Sequence, residues 1–285
     1  MDSNVRKCLD TLVPYVCREW QSLLKCAANY SFEKAVRRLP DGHYESAYMW
    51  VTQRRGDPTV RRSVKALVRH ALAEIAKIDF TDEERREHKK WLTAIALVVG
   101  AAKPTRKAVK ILGPQICYRY ARDVICGRWP EAEPVIATDP RCAYLYALDV
   151  ICRRWPEAEP VIAQDPECAY DYACDVIRGR WPEAEPVIAQ DAESAYSYAS
   201  RVIGGRWPEA EPVIAVSAYY GYTYARDVIR GRWPAAEPAI ATDAWCAYSY
   251  ARDVIRGRWT EAEPVIERDP RCASFYYNYV THIGG

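Results

Sequence analysis

The stretch from Pro140 to Cys152, PRCAYLYALDVIC, carries apolar side chains at Ala143, Tyr144, Ala147, Val150 and Ile151. This is the i, i+1, i+4, i+7, i+8 spacing of one helical face, which Tyr146 widens, and it predicts an amphipathic helix of about fourteen residues. The pattern returns down the chain at a fixed interval. Trp129, Trp155, Trp181, Trp207, Trp233 and Trp259 stand 26 residues apart with no insertion between them. Constant spacing of this kind marks a stacked array. An earlier copy from Pro104, PTRKAVKILGPQICYRYARDVICGR, keeps the apolar slots and lacks the Trp.

Each unit reads as two helices. Asp139-Pro140, Asp165-Pro166 and Asp269-Pro270 give the longer helix an N-cap side chain and a proline at its first position, and Asp191, Ser217 and Asp243 fill the cap slot elsewhere. Gly127, Gly179, Gly205, Gly231 and Gly257 follow that helix, where a left-handed residue is expected. Arg153 at the same slot is therefore expected to cost about 1 kcal/mol. The shorter helix, PEAEPVIAT, has Pro130 to open it and Glu131 and Glu133 at the positive end of its dipole. Pro134 leaves two possibilities open: a helix that begins near Ala132, or one that kinks at the proline.

Helices this short are marginal alone in water. The Tyr, Val, Ile and Trp of one unit must be covered by the next, so the array holds together by nearest-neighbour stacking. The last unit fits an end cap: Glu267 replaces an Ala, Ser274 a Tyr and Thr281 an Ile, and Tyr277 fills an Ala slot. Residues 1–102 do not repeat. Their patterns predict helices over about 4–28, 31–39, 44–54, 58–78 and 82–101, with Asp57-Pro58 and the Thr81–Glu84 capping box as start signals. The chain thus reads as all-α, a basic helical head over 1–102 followed by an α-solenoid of about seven two-helix units over 103–285.

Charge divides along the same line. Residues 1–112 hold 22 Lys and Arg against 13 Asp and Glu; residues 113–285 hold 18 against 25, and every one of those 18 is Arg. Opposite fields fit two regions with different tasks, or head-to-tail self-association. Arg54, Arg55, Arg61, Arg62, Lys65 and Arg69 cluster around one turn and the next helix, a surface for an acidic protein or, through residues 54–69, for nucleic acid.

Units differ mainly at four slots of the long helix, occupied in one unit by Arg141, Leu145, Leu148 and Cys152, spacings that form one stripe. Later units place Tyr219 and Trp245 in the first slot, with Arg226, Arg230, Arg252 and Arg256 in the last two. Tyr, Trp and Arg are the usual anchors of protein interfaces, so this stripe is the candidate partner-binding surface. The Arg before each Trp (Arg128, Arg154, Arg180, Arg206, Arg232, Arg258) is expected to pair with an acid of an adjacent unit or to lie on a Trp face.

Nothing in the chain calls for catalysis, a cofactor or a metal. Glu84 and His88 lie one turn apart without a third ligand; Cys8, Cys17 and Cys26 fall on alternating sides of a helix; His43-Tyr-Glu45 lacks the P-C-x-x-C of zinc deaminases. No phosphate loop or nucleophile elbow is present. Of the 11 Cys, Cys142, Cys168, Cys246 and Cys272 share a slot with Ser194, which suits half-buried thiols in a reducing cytoplasm. No leader opens the chain, and the apolar run at 91–102 is too short for a membrane span.

The unit AYxYAxDVIxGRWPEAEPVIA resembles short repeats of uncharacterised phage and giant-virus proteins, over residues 104–283. That resemblance brings no catalytic residues. It implies a viral protein in the host cytoplasm that binds a host component, such as an antiviral defence protein, and inhibits or redirects it.

Overall fold

The computed structural model describes residues 42–75 and 79–283. Among them every regular element is a helix. The fold is all-α, with similar helices packed in tandem at the repeat interval, as an α-solenoid requires. The expected helices over 4–28 and 31–39, and Cys8, Cys17 and Cys26, lie outside the described residues, as do the side chains of His43, Glu45 and His70. Two compact units divide the chain, Met1–Ile151 and Cys152–Gly285. The division falls between two repeats, whereas repeating sequence begins near residue 103.

The first unit contains α1 (Gly42–Gln53), α2 (Pro58–Ile75), α3 (Asp82–Val98) and α4 (Arg106–Tyr120). Their start signals act as expected. Asp57 accepts from the N–H groups of Thr59 and Val60 at 2.8 and 3.2 Å, and Thr81 and Glu84 close a reciprocal capping box. Tyr48 of α1 packs edge-on against Trp91 of α3, with centroids 6.3 Å apart. The degenerate first repeat lies in α4. Gly113, with φ 72°, and Pro114 break the helix 26 residues before Asp139 and Pro140, where later units place their cap. A positive φ at this slot is open to glycine at little cost.

The ambiguity at the short helix is resolved. In the 129–136 segment a turn over residues 130–132 leads into Glu133–Ile136, with Ala132 as N-cap and Pro134 inside the first turn, where no N–H is required. The same four-residue helix recurs at Glu159–Ile162, Glu185–Ile188, Glu211–Ile214, Glu237–Ile240 and Glu263–Ile266. Its Ala N-caps and its Ile residues are wholly buried.

The long helix departs from expectation. Seven α-helical residues, as in Pro140–Tyr146 or Ala192–Tyr198, run into five π-helical ones, Ala147–Ile151 or Ala199–Ile203. A π turn is wider than an α turn and shifts the helical phase of the residues beyond it. The 3.6-residue face therefore ends at Ala147: Val150 and Ile151 are half-buried, while Tyr146, expected only at the margin, is fully buried at the core centre. Asp139, Asp165, Asp191, Ser217, Asp243 and Asp269 all cap as read, accepting from the N–H three residues on.

The glycine slot needs correction. The left-handed residue lies one position earlier, at Cys126, Cys152, Arg178, Gly204, Arg230 and Arg256, with φ between 55° and 70°. The following glycine instead donates its N–H to the carbonyl six residues back, as Gly179 does to Ala173 at 3.1 Å, one residue further than the outer bond of a Schellman closure, in keeping with the wider π turn. Arg153 therefore carries no left-handed penalty. The cost of about 1 kcal/mol falls on the five non-glycine residues before that slot. The last long helix, Pro270–Ile283, is a single α-helix without the π segment. Glu267, Ser274 and Thr281 are exposed there, and the half-buried Tyr277 hydrogen-bonds Glu267.

One network explains the motif GRWPEAEP. In the second compact unit, Trp181 packs on Tyr172 with ring centroids 5.1 Å apart. Its backbone N–H donates to the Tyr198 hydroxyl at 2.7 Å, and that hydroxyl donates to Glu185 Oε1 at 2.9 Å. Arg180 grips both oxygens of Glu185 at 2.8 Å. Trp207, Trp233 and Trp259 repeat the pattern, and in the first unit Trp129 packs on Tyr120 while donating to Tyr146. Trp129, Trp181, Trp207, Trp233 and Trp259 thus each tie one long helix, through the ring, to the next, through the amide. The Arg before each Trp pairs with the Glu five residues on in its own turn, not with an adjacent unit. The turn folds Arg and Glu to the same side, which sequence separation did not reveal.

Candidate functional site

In the unit Cys152–Gly285 the outer slots of the variable stripe are accessible, whereas its second slot is half-buried at Asp171, Ser197 and Ser249 and buried at Thr223. Its first slot is exposed at Glu167, Glu193, Tyr219, Trp245 and Arg271, and its last at Arg178, Gly204, Arg230, Arg256 and His282. Tyr219 is 57 % exposed, Trp245 41 % and Phe275 52 %, large apolar rings left in solvent by a fold that buries its other core aromatics almost completely. Tyr219 meets Tyr220 edge-on at 5.1 Å. Trp245 meets Tyr248 at 6.2 Å and Phe275 at 5.9 Å, and Tyr279 closes on Tyr248 at 6.5 Å. The Trp245 indole N–H donates to Asp269 at 3.1 Å, which fixes the ring's orientation. Phe275 joins the patch from the stripe's second slot, which holds Leu, Asp, Ser or Thr elsewhere, and Tyr248 from a slot that is Tyr in the preceding units, so composition alone gave no sign of their clustering.

The four arginines of the stripe divide into two pairs. Arg226 makes a fork with Asp227 (2.7 and 2.8 Å), donates to the Tyr222 hydroxyl at 2.8 Å and lies 5.0 Å from its ring centroid. Arg252 does the same with Asp253 and Tyr248. Each aspartate also binds the preceding long helix, because Tyr196 donates to Asp227 and Tyr222 to Asp253. These guanidinium forks hold the Asp227 and Asp253 carboxyls below their ordinary range. Arg226 and Arg252 are therefore structural ties as well as surface cations. Arg230 and Arg256 differ: both are exposed, both have left-handed backbones, and neither makes an ion pair or hydrogen bond among the described residues. They line an open groove of about 610 Å³ with Arg226, Asp227, Gly231, Asp253 and Val254. Arg230 also lines the adjoining depression with Ser200, Gly204, Gly205 and Val228.

In the head, Arg54, Arg55, Arg61 and Arg62 are all exposed. Arg54 lies over the Trp50 ring at 5.0 Å and Arg55 donates to the Thr52 carbonyl at 3.0 Å. Arg61, Arg62 and Arg69 have no acidic partner among the described residues. A second depression in this unit, between Gly113, Pro114 and the cap Asp139, was not foreseen; its Lys90 and Arg122 are paired with Glu87 and Asp123. Glu84 takes part in its capping box, and His88 lies against Phe80 at 4.7 Å. Among the described residues no three His, Cys, Asp or Glu side chains converge on a metal position, and no helix is long and apolar enough to cross a membrane. Burial pushes the Cys142 and Cys246 thiols up to about 12, so both stay protonated at neutral pH.

Comparison of the chain with protein-family models, with curated proteins and with solved structures finds no match.

Proposed function

We propose that the protein is a non-enzymatic scaffold that captures a protein partner on the stripe around Tyr219, Trp245 and Phe275. The observation that carries this reading is the exposure of those rings, in an array whose other aromatics are buried or half-buried. Exposed aromatics backed by a rigid repeat give contact area at low entropic cost. The likeness of the repeat to phage and giant-virus sequences supports a host partner, with an antiviral defence protein as its class and the host cytoplasm as the setting. The test is capture from host lysate by wild type and by the Tyr219→Ala/Trp245→Ala variant, quantified by mass spectrometry. A partner retained by wild type and lost by the variant, with the variant's helical circular dichroism preserved, is expected. Equal retention by both refutes the stripe as the binding face.

A second reading has its own observation. Arg61, Arg62 and Arg69 lie exposed along α2 without an acidic partner among the described residues, a footprint suited to nucleic-acid phosphates. Binding to duplex or single strands that falls steeply with salt, and is lost on neutralising Arg54, Arg55, Arg61 and Arg62, would favour it.

A further inference from the structure

We propose that the groove along Arg230 and Arg256 binds an extended acidic segment of the partner, with carboxylates about three residues apart. This rests on the scaffold reading above and names the chemistry of what the scaffold holds. Three observations converge. The first is local charge. The groove's two carboxylates, Asp227 and Asp253, are each committed to an arginine fork and a tyrosine hydroxyl. Arg226 and Arg252 cancel them, which leaves Arg230 and Arg256 as uncompensated cations inside an overall acidic array.

The second is the backbone. Arg230 and Arg256 have φ of 59° and 57°, whereas the equivalent residue one repeat earlier is Gly204, with φ 70°. Glycine serves this position without strain. Cys126, Cys152 and Arg178 accept the same strain at this slot, and what sets Arg230 and Arg256 apart is a charge that makes no ion pair or hydrogen bond among the described residues. The third is continuity with the aromatic patch: Arg252 lies 5.2 Å from the centre of the Tyr248 ring, which in turn contacts Trp245 and Phe275. Cationic groove and apolar patch are one surface.

Spacing sets the ligand's register. Packed helices lie roughly 8–10 Å apart, and a polyproline-II chain, extended and with three residues per turn, rises about 3.1 Å per residue, so that every third side chain shares a face. Equivalent arginines on consecutive long helices therefore match acidic residues at i and i+3. Two cations one helix apart, in an array of net negative charge, match sparse carboxylates better than the unbroken charge of a nucleic-acid backbone.

The test uses the full chain and a fluorescein-labelled fourteen-residue Ser/Gly peptide carrying one Glu-x-x-Glu pair flanked by leucines, read by fluorescence polarisation. Saturable binding to wild type is expected. Arg230→Gly/Arg256→Gly should weaken it about tenfold and flatten its salt dependence, the loss of two surface ion pairs. Glycine suits the left-handed backbone, so this variant keeps the fold. Arg178→Gly, at the same slot outside the groove, should bind like wild type. Absence of saturable binding, or unchanged affinity in the double variant, overturns the proposal. So does tighter binding of oligo-dT than of the peptide, or a dimer by sedimentation that the double variant abolishes, which would assign the groove to a second copy. If Tyr219→Ala/Trp245→Ala removes peptide binding while Arg230→Gly/Arg256→Gly does not, the acidic chemistry is wrong and the scaffold reading stands. If neither variant changes binding, both readings fall.

Discussion

Replacing Tyr198 by Phe tests the network that joins one repeat to the next. The ring stays, so no cavity forms in a site where Tyr198 is fully buried. What goes is a single hydroxyl. The Trp181 N–H loses its acceptor at 2.7 Å and Glu185 loses a donor at 2.9 Å. A buried N–H left without a partner costs about 1–3 kcal/mol, and a hydrogen bond to a charged group adds about 1.5 kcal/mol. The second figure is discounted here because Glu185 keeps both Arg180 bonds and some solvent contact. The expected loss is about 2–3 kcal/mol. In an array stabilised between neighbours, it acts on both repeats that Trp181 joins. Urea denaturation followed by circular dichroism measures it, with an unchanged m-value expected, since the buried surface is the same. A loss below about 0.5 kcal/mol, at equal m, would refute the hydroxyl as a tie between repeats.

Further expectations rest on the same geometry. Arg256→Gly, which relieves a left-handed arginine, should raise stability by about 1 kcal/mol, measured by urea midpoint; a loss would mean the side chain supports the fold. Glu133, Glu159, Glu185, Glu211, Glu237 and Glu263 have carboxyls depressed first by their arginine partners. Their contribution is therefore present above the ordinary carboxylate range and lost as pH falls through it, and melting temperature should drop steeply below about pH 4. Burial raises Tyr146, Tyr198, Tyr224 and Tyr250 to about 12, so their contribution is complete below the free phenol value and lost above it. Unfolding should accompany tyrosinate absorbance between about pH 10 and 12. Tyr219→Ala/Trp245→Ala should lower the melting temperature by a few degrees at most, because both rings are partly exposed and Trp245 gives up one hydrogen bond to Asp269 and its contacts with Tyr248 and Phe275.

Much of the fold was legible in the sequence because it rests on local rules. A 26-residue period without insertions gave the array, Asp-Pro and Ser at one slot gave the helix caps, and Thr81 with Glu84 gave the start of α3. The stripe holding Tyr219 and Trp245 was legible for a related reason: repetition makes each unit a control for the others, so variable slots stand out.

Tertiary structure decided what local spacing does not encode. The π segment shifts the helical phase after Ala147, which moved the core from Val150 and Ile151 to Tyr146 and placed left-handed backbone at Arg230 and Arg256 rather than at the glycines. The partner of each motif arginine was settled by the turn that brings it to the Glu five residues on. The division of the stripe's arginines into Asp-bound and unpaired members arose only when Tyr196 and Tyr222 reached across to Asp227 and Asp253 on the next helix. Periodicity and caps depend on residues within a turn or two of one another, and a chain states them directly. Which charge is left over depends on contacts about thirty residues apart, and those exist only once the helices have stacked.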